Sequence, residues 1–212
     1  MSTLLPAAVA ALPLVGGWSV HAAWLRRRLD TARRDPLSGL ARREGFEQAA
    51  SRLLSGGSAA VVLVDLDGFK AVNDSWGHAA GDEAIRMAAA AMNTVCTDPG
   101  VTGRLGGDEF AAVVPLADPV TLRWLLGGLH GCLTAPFSYE GRTLAVGASV
   151  GGVWAPAGTP LGVALRVADE AMFRAKQTGG GPSVAPSLTP AYRTVNGRRD
   201  GRRGTDLEGG AA

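Results

Sequence analysis

The stretch Val101-Thr102-Gly103-Arg104-Leu105-Gly106-Gly107-Asp108-Glu109-Phe110-Ala111-Ala112-Val113-Val114 contains two short apolar runs on either side of a Gly-Gly-Asp-Glu sequence. Glycine and aspartate are typical of tight hairpin turns, because they accept backbone conformations that most other residues avoid. The stretch therefore predicts two strands, over 101–105 and 110–114, joined by a turn at 106–109. It also places two neighbouring carboxylates, Asp108 and Glu109, in the turn.

A second pair of carboxylates follows another apolar run. The residues at 60–64 are Ala-Val-Val-Leu-Val, and Asp65-Leu66-Asp67-Gly68 comes directly after them. This pattern is typical of a buried strand that carries carboxylates at its C-terminal edge. Because side chains alternate along a strand, Asp65 and Asp67 point to one face and Leu66 points to the other.

Each acidic cluster alone is also typical of a solvated turn, since Asp-Gly commonly ends a strand. Together they indicate more, because carboxylate oxygens from a strand end and a neighbouring hairpin are the ligands that Mg²⁺ prefers, with substrate phosphates completing the shell. Such an ion neutralises a triphosphate and polarises its α-phosphorus. A third cluster, Asn73-Asp74 with Asp82 nearby, has the donors and acceptors to read a purine edge, or is loop and helix-cap chemistry.

The rest of the pattern interleaves helices with strands. Alanine-rich periodicity predicts a helix over 79–95, and an amphipathic pattern predicts one over 161–177. Asp118 and Pro119 suit the N-cap and first position of a helix over 118–133, and 144–153 has strand composition. The glycine run Gly179-Gly180-Gly181 is expected to break the structure. The predicted fold class is α/β (α+β), with several strands joined by hairpins.

Composition excludes several classes of protein. The 212 residues are enough for one ordinary domain with short appendages, and 46% hydrophobic against 19% charged residues exclude a globally disordered chain. The net charge of +2 excludes a strongly basic nucleic-acid binder. The charge is uneven: it is +4 over 1–34, −4 over 35–182 and +2 over 183–212. The two cysteines lack metal-ligand spacing.

The N-terminal segment predicts a membrane anchor. Residues 4–25 contain no Asp, Glu, Lys or Arg, and a helix of this length would span about 33 Å, enough for the apolar part of a bilayer. Three arginines follow at 26–28 and predict that this side stays in the cytoplasm. We therefore expect residues 1–34 to form a single-pass anchor in the cell membrane and a short basic linker, with the rest cytoplasmic. The alternatives are a cleaved signal peptide and a buried helix.

The C-terminal segment predicts a tail. Residues 190–212 include a run of Arg, Gly and Asp without apolar periodicity, which is typical of a disordered basic tail. The predicted folded domain therefore covers residues 35–189.

Five ordered blocks of the chain resemble a known family. Residues 104–110 contain the GGDEF signature of diguanylate cyclases letter for letter, and the other blocks lie at 35–43, 65–82, 149–151 and 168–176. The chain is therefore similar to GGDEF-domain diguanylate cyclases over residues 35–182. The resemblance implies a palm-like, mixed, largely antiparallel central sheet flanked by helices and related to class III nucleotide cyclases, here preceded by one N-terminal transmembrane helix.

The resemblance also implies a role for particular residues. Asp65, the backbone carbonyl of Leu66 and the Asp108 carboxylate would hold Mg²⁺ or Mn²⁺. Glu109, with Asp108, would assist deprotonation of the attacking 3′-hydroxyl. The residues that would bind GTP are Asn73 and Asp82 at the guanine, Gly106 and Gly107 along the nucleotide, and Phe69, Lys70 and Lys176 at the phosphates.

The implied activity is the condensation of two GTP molecules into cyclic di-GMP, with release of two pyrophosphates. Each domain would bind one GTP, and two domains would face each other as a homodimer, so that each 3′-hydroxyl attacks the other α-phosphorus. Positioning and charge neutralisation would supply most of the catalysis. The alternative is a catalytically inactive GGDEF-like domain that binds GTP or regulates a partner.

One position departs from the family pattern. After Lys176 the family continues with Gly-Arg-Asn, whereas this chain has Gly179-Gly180-Gly181, so Gly180 stands where the family has a phosphate-contacting arginine. Loss of that cation predicts a higher KM for GTP rather than loss of the chemistry. The same departure motivates the inactive alternative.

Overall fold

The computed structural model describes residues 34–96 and 99–189. In these residues a six-stranded sheet is flanked by helices, and a separate two-stranded hairpin is present. The strands are β1 (Ala41–Arg42), β2 (Ala59–Asp67), β3 (Val101–Gly106), β4 (Glu109–Pro115), β5 (Phe137–Tyr139), β6 (Arg142–Leu144), β7 (Gly147–Ala155) and β8 (Gly181–Val184). The helices are α1 (Arg43–Gly56), α2 (Phe69–Trp76), α3 (His78–Val95), α4 (Val120–Leu133) and α5 (Leu161–Gln177).

The sheet has the strand order β1-β3-β4-β2-β7-β8. The three central pairings, β3 with β4, β4 with β2 and β2 with β7, are antiparallel. At the two edges, β1 pairs with β3 and β8 pairs with β7 in parallel. The sheet is therefore mixed and largely antiparallel, which confirms the fold class predicted for this part of the chain.

Strand β2 divides the hydrophobic core into two layers. Its even-numbered residues from Ala60 to Leu66 pack with α3 and α4, and its odd-numbered residues from Ala59 to Leu63 pack with α1 and α5. A strand that is covered on both faces has a continuous apolar sequence, and this explains the run at 60–64. Asp65 and Asp67 continue the odd-numbered set, so they lie on the face that carries α1 and α5.

Helix α5 approaches β7 very closely. A Cβ atom on Gly151 would collide with the α5 backbone at the Ala168 carbonyl and the Met172 nitrogen. Only glycine allows this approach, because it has no side chain to intervene. The packing holds α5 on the sheet so that Lys176, in its last turn, reaches Asp65 at the end of β2.

Most predicted elements are observed. Strand β2, the β3–β4 hairpin and α5 form where the sequence predicts them, and α3 begins one residue before the predicted helix at 79–95. Helix α4 begins at Val120, whose N–H donates a hydrogen bond to the Asp118 carboxylate over 2.9 Å. The N-cap is Pro119 rather than the predicted Asp118, and the helix begins two residues later than predicted.

Other elements differ from the prediction. Strand β7 begins at Gly147 rather than at 144, because Leu144 ends the β5–β6 hairpin. That hairpin turns at Glu140 and Gly141, whose φ angles are 48° and 74°. The glycine run that was expected to break the structure ends α5, but its last residue, Gly181, begins β8. Helices α1 and α2 and the short strands β1, β5, β6 and β8 were not predicted from the pattern.

The predicted single-pass location in the cell membrane is contradicted. No helix in residues 34–96 and 99–189 is both long and apolar enough to cross a bilayer. The longest helix described, α3 with 18 residues, carries Asp82, Glu83 and Arg86 in its second and third turns. The predicted anchor and linker at 1–34 lie outside the described residues, except for Arg34 at the end of the linker. The predicted tail at 190–212 also lies outside them. The membrane location is withdrawn, and the tail stays a prediction.

Candidate active site

The end of β2 and the turn between β3 and β4 bring the acidic residues together. Asp65 lies directly opposite Glu109 in the antiparallel pairing of β2 with β4. The next pair is linked by a 3.2 Å hydrogen bond in which the Leu66 N–H donates to the Asp108 carbonyl. Asp65 and Glu109 therefore form a non-hydrogen-bonded pair, in which the Cβ atoms lie about 4.5–5.5 Å apart on one face.

Asp65 is largely buried and makes an ion pair. Its residue is 8% exposed, and Oδ1 lies 2.8 Å from Nζ of Lys176. The lysine comes from the last turn of α5, on the face of the sheet to which Asp65 points. A buried carboxylate needs such a partner, because removing a charge from water is costly unless the charge is paired. The structure thus places Lys176 at the carboxylate cluster.

Asp67 has a different partner. The hydroxyl of Ser149, a fully buried residue on β7, lies 3.0 Å and 2.9 Å from the two carboxylate oxygens of Asp67. The Asp67 carboxylate also lies next to Gly180, where a Cβ atom would come within 2.9 Å of Oδ2. Gly180 has a φ of 94°, in the region that favours glycine. The position that lacks the family's arginine therefore has a backbone conformation that favours glycine.

The turn between β3 and β4 depends on two glycines, and two arginine side chains hydrogen-bond to its backbone. Gly106 and Gly107 have φ angles of 151° and 53°, which side chains disfavour. The Arg104 Nε donates to the Gly107 carbonyl over 2.9 Å, and the Arg43 Nη2 donates to the Leu105 carbonyl over 3.2 Å. Two guanidinium groups therefore fix the backbone on either side of Gly106, next to the acidic pair.

Arg104 also connects the turn to the first described residues. Its Nη1 lies 2.8 Å from Oδ1 of Asp35. The same oxygen accepts hydrogen bonds from the backbone N–H and the hydroxyl of Ser38, over 2.8 Å and 2.7 Å. Burial alone would raise the pKa of Asp35, but the bonds from Arg104 and Ser38 outweigh it and lower the pKa below the ordinary value of 3.8.

The residues predicted to bind guanine lie around the junction of α2 and α3. The two helices meet at Gly77, whose φ is 82°. Asn73 and Phe69 on α2 both face Gly81 on α3, where an added Cβ would collide with the Asn73 amide and come within 3.2 Å of the Phe69 ring. Asn73 therefore lies beside the turn of α3 that carries Asp82. This grouping follows from the bend at Gly77.

The structure thus forms two groups from the predicted site residues. One consists of Asp65, Leu66, Gly106, Gly107, Asp108, Glu109 and Lys176, and the other of Phe69, Asn73 and Asp82. Lys70 is exposed on α2 and makes no ion pair with any residue that the structure describes. Sequence reasoning assigned no role to Asp35, Arg104 and Ser149. Asp35 and Arg104 carry opposite charges, but they are so far apart in the sequence that an ion pair between them could not be predicted.

The donor set at the strand end fits a divalent cation. The Asp65 and Asp108 carboxylates and the Leu66 carbonyl are hard oxygen donors of the type that Mg²⁺ and Mn²⁺ prefer. The Leu66 N–H points towards the turn, and in a strand the carbonyl of the same residue points to the same side. Among the described residues no three or more His, Cys, Asp or Glu side chains form a metal cluster, and the predicted set needs only two carboxylates.

A family model described as "Diguanylate cyclase, GGDEF domain" matches residues 32–182. The chain therefore belongs to the family of GGDEF-domain diguanylate cyclases. The resemblance found in the sequence is confirmed, and so is the assignment to this class of enzyme.

Two known proteins show how far the similarity extends along the chain. A Streptomyces ambofaciens protein, described as an uncharacterized 19.3 kDa protein in the repSA 5′ region, is 45% identical over 78% of this chain and 89% of its own length. The diguanylate cyclase DgcP of Pseudomonas aeruginosa is 33% identical over 68% of this chain, but the match spans only 22% of DgcP. The whole activity of such larger relatives therefore does not transfer directly to this chain.

The fold also matches a solved structure. The coiled coil and GGDEF domain of DgcB from Caulobacter crescentus, in complex with c-di-GMP, has a TM-score of 0.72 at 24% identity. The match covers 87% of this chain and 100% of that one. At this identity the likeness shows the fold, a mixed central sheet flanked by helices.

Proposed function

We propose that this chain is a diguanylate cyclase that condenses two GTP molecules into cyclic di-GMP and releases two pyrophosphates. The observation that carries the proposal is the register of β2 with β4, in which Asp65 lies directly opposite Glu109. Glu109, one of the two acidic residues of the turn, is therefore the direct neighbour of the carboxylate at the strand end. An active site for nucleotidyl transfer needs such a concentration of negative charge to hold a metal–triphosphate complex.

The acidic residues would divide the work. Asp65, Asp108 and the Leu66 carbonyl would hold Mg²⁺ or Mn²⁺, which supplies charge neutralisation at the triphosphate when it is bound. Glu109 would accept the proton of the attacking 3′-hydroxyl, with Asp108 assisting. Ser149 would keep the Asp67 carboxylate turned towards β7, because the buried hydroxyl lies within hydrogen-bond distance of both of its oxygens.

The remaining predicted residues would bind GTP. Asn73 and Asp82 would hydrogen-bond the guanine, and the contact of Asn73 with Gly81, the residue before Asp82, supports a shared role. Gly106 and Gly107 would let the nucleotide approach the backbone of the turn. Phe69, Lys70 and Lys176 would border the phosphates.

The reaction would require two copies of the domain. One site holds one GTP, and the product joins two guanosines through two phosphodiester bonds, so two bound nucleotides must face each other. The catalytic domain would therefore work as a homodimer, and pairing would be needed only during turnover. Holding the two nucleotides in line supplies the main entropic advantage.

A turnover assay tests the proposal. The chain is fused to a dimerising coiled coil and incubated with GTP and Mg²⁺, and cyclic di-GMP and pyrophosphate are quantified. Glu109→Gln should reduce kcat at least about 100-fold, the usual loss on removing a general base. Glu44→Gln is the matched control, since Glu44 is exposed on α1 and should leave kcat unchanged. Absence of product from the dimerised wild type at saturating GTP would refute the proposal.

One observation favours a second function, a GTP-binding domain without turnover. Gly180 replaces the family's arginine, and the Asp67 carboxylate lies against it, so an anion faces the position where a phosphate-binding cation is expected. Binding of a GTP analogue, measured together with product formation, separates the two functions. A binding-only domain would bind the analogue and form no product even when dimerised.

A further inference from the structure

The ion pair between Lys176 and Asp65 joins two groups to which the proposed function gives different partners. Asp65 is a predicted metal ligand, and Lys176 is a predicted phosphate contact. In the structure the two bind each other, with 2.8 Å between Nζ and Oδ1. The lysine thus provides the positive charge that the buried carboxylate needs.

A divalent cation and the Lys176 ammonium compete for the same carboxylate. The ammonium donates a hydrogen bond to Oδ1, and a metal bound to Asp65 would also place two positive charges close to the lysine. Like charges at such distances repel strongly where solvent screening is incomplete. The Asp65 side chain is only 12% exposed, so water screens this repulsion poorly.

A triphosphate would remove the conflict. Lys176 lies in the last turn of α5, and 39% of its side chain is exposed. Lysine has four rotatable bonds along its stem, so the ammonium can leave Asp65 while the helix stays in place. Phosphate oxygens arriving at the site would offer the ammonium a new anionic partner.

We propose that Lys176 is a counter-ion switch, which pairs with Asp65 in the nucleotide-free protein and transfers to the phosphates when the nucleotide binds. The inference rests on the proposed function and adds that metal and nucleotide binding are coupled through Lys176. In the free protein Lys176 weakens metal binding, and nucleotide binding relieves that effect. Because coupling between two ligands is reciprocal, bound metal should raise nucleotide affinity by the same factor.

Metal binding without turnover tests this inference. The 212-residue chain and its Lys176→Met variant are titrated with Mn²⁺, and free Mn²⁺ is measured by electron paramagnetic resonance. In the absence of nucleotide the variant should bind Mn²⁺ about five- to tenfold more tightly, since a partly buried competing charge has been removed. With saturating α,β-methylene GTP, which cannot be turned over, the difference should shrink or reverse.

Two further variants make the result specific. Lys176→Arg keeps a cation at the carboxylate and should bind Mn²⁺ as weakly as the wild type. Arg174→Met removes a charge from the same exposed turn of α5, where Arg174 makes no ion pair with any described residue, and should change the affinity less than twofold. Equal tightening in Arg174→Met would overturn the inference, because general electrostatics would then explain it.

Different experimental results would refute the inference and the proposed function. If Lys176→Met leaves the nucleotide-free Mn²⁺ affinity unchanged while the dimerised wild type still makes cyclic di-GMP, only the switch is refuted. If no Mn²⁺ binds to the wild type even with the GTP analogue, the metal site and the inference are both refuted. Circular dichroism of each variant confirms that the comparison is made between folded proteins.

Discussion

At the scale of single residues, Gly179 and Gly180 follow α5 where the family has a glycine and an arginine. Gly179 and Gly180 both have a φ of 94°, a conformation that costs a residue with a side chain about 1–2 kcal/mol. They differ in their surroundings. A Cβ on Gly180 would lie 2.9 Å from Oδ2 of Asp67, whereas a Cβ on Gly179 would meet nothing within 4 Å.

This difference predicts the outcome of two alanine substitutions. Gly180→Ala should lower the free energy of unfolding by about 2–3 kcal/mol, because it adds a steric contact to the backbone strain. Gly179→Ala should cost only the strain, about 1–2 kcal/mol. Urea denaturation of both variants measures the difference. Equal losses would mean that the Asp67 carboxylate turns away from a side chain at position 180, so that only the backbone strain remains.

At the scale of secondary-structure elements, the contact between α5 and β7 positions Lys176. A Cβ on Gly151 would collide with α5 backbone atoms, which cannot move without the whole helix. Gly151→Ala should therefore destabilise the domain by about 3 kcal/mol, at the upper end for overpacking, and weaken binding of a GTP analogue. Urea denaturation and calorimetric titration measure the two effects.

Gly162→Ala is the matched control for this prediction. Gly162 is exposed in the first turn of α5, and a Cβ there would meet nothing within 4 Å. The substitution should stabilise the helix by about 0.5–1 kcal/mol, because alanine is the better helix former. If Gly151→Ala and Gly162→Ala changed the free energy of unfolding by similar amounts, the close contact with β7 would not be what holds α5 in place.

The elements also show which parts of the fold a sequence can predict. Strand β2 and helices α3 and α5 were predicted because each carries a long apolar pattern that its burial requires. Helix α2 was missed, since its eight residues include none that is buried, and β8 was missed because it begins with Gly-Pro after two further glycines. Short elements take their conformation from the neighbours they pack against.

The site follows the same rule. Asp108 and Glu109 adjoin in the sequence, and Asp65 lies at the end of a recognisable strand, so their chemistry was predicted. The ion pair of Lys176 with Asp65 depends on how α5 packs across the sheet. That packing cannot be predicted from the residues next to Lys176 or Asp65 in the sequence. The hydrogen bond of Ser149 to Asp67 likewise depends on the register of β7 with β2.

At the scale of the whole molecule, one ion pair connects the start of the described chain with the turn of the active site. Asp35 bonds Arg104, and Arg104 bonds the Gly107 carbonyl. The pair is well shielded, with side chains 20% and 14% exposed, so its contribution exceeds that of ordinary surface pairs. Asp35→Asn should therefore lower the free energy of unfolding at pH 7 by about 1–3 kcal/mol.

The pH dependence of this loss follows from the pKa of Asp35, which the fold lowers below 3.8. A carboxyl with a lowered pKa contributes stability above its unfolded pKa and loses it as the pH falls through its folded pKa. The difference between wild type and Asp35→Asn should therefore be full at pH 6–7 and shrink progressively below about pH 4. Urea denaturation of both proteins over pH 2.5–7 measures it.

Glu83→Gln provides the comparison, because the Glu83–Arg86 pair is exposed, at 41% and 51% of the two side chains. Removing it should cost less than about 0.5 kcal/mol at any pH. A wild-type advantage over Asp35→Asn that stays constant from pH 7 to pH 3 would contradict the prediction, since the charge of Asp35 would then contribute nothing. In that case the Asp35 contribution would come from its hydrogen-bond geometry, and the turn would be held without an ion pair.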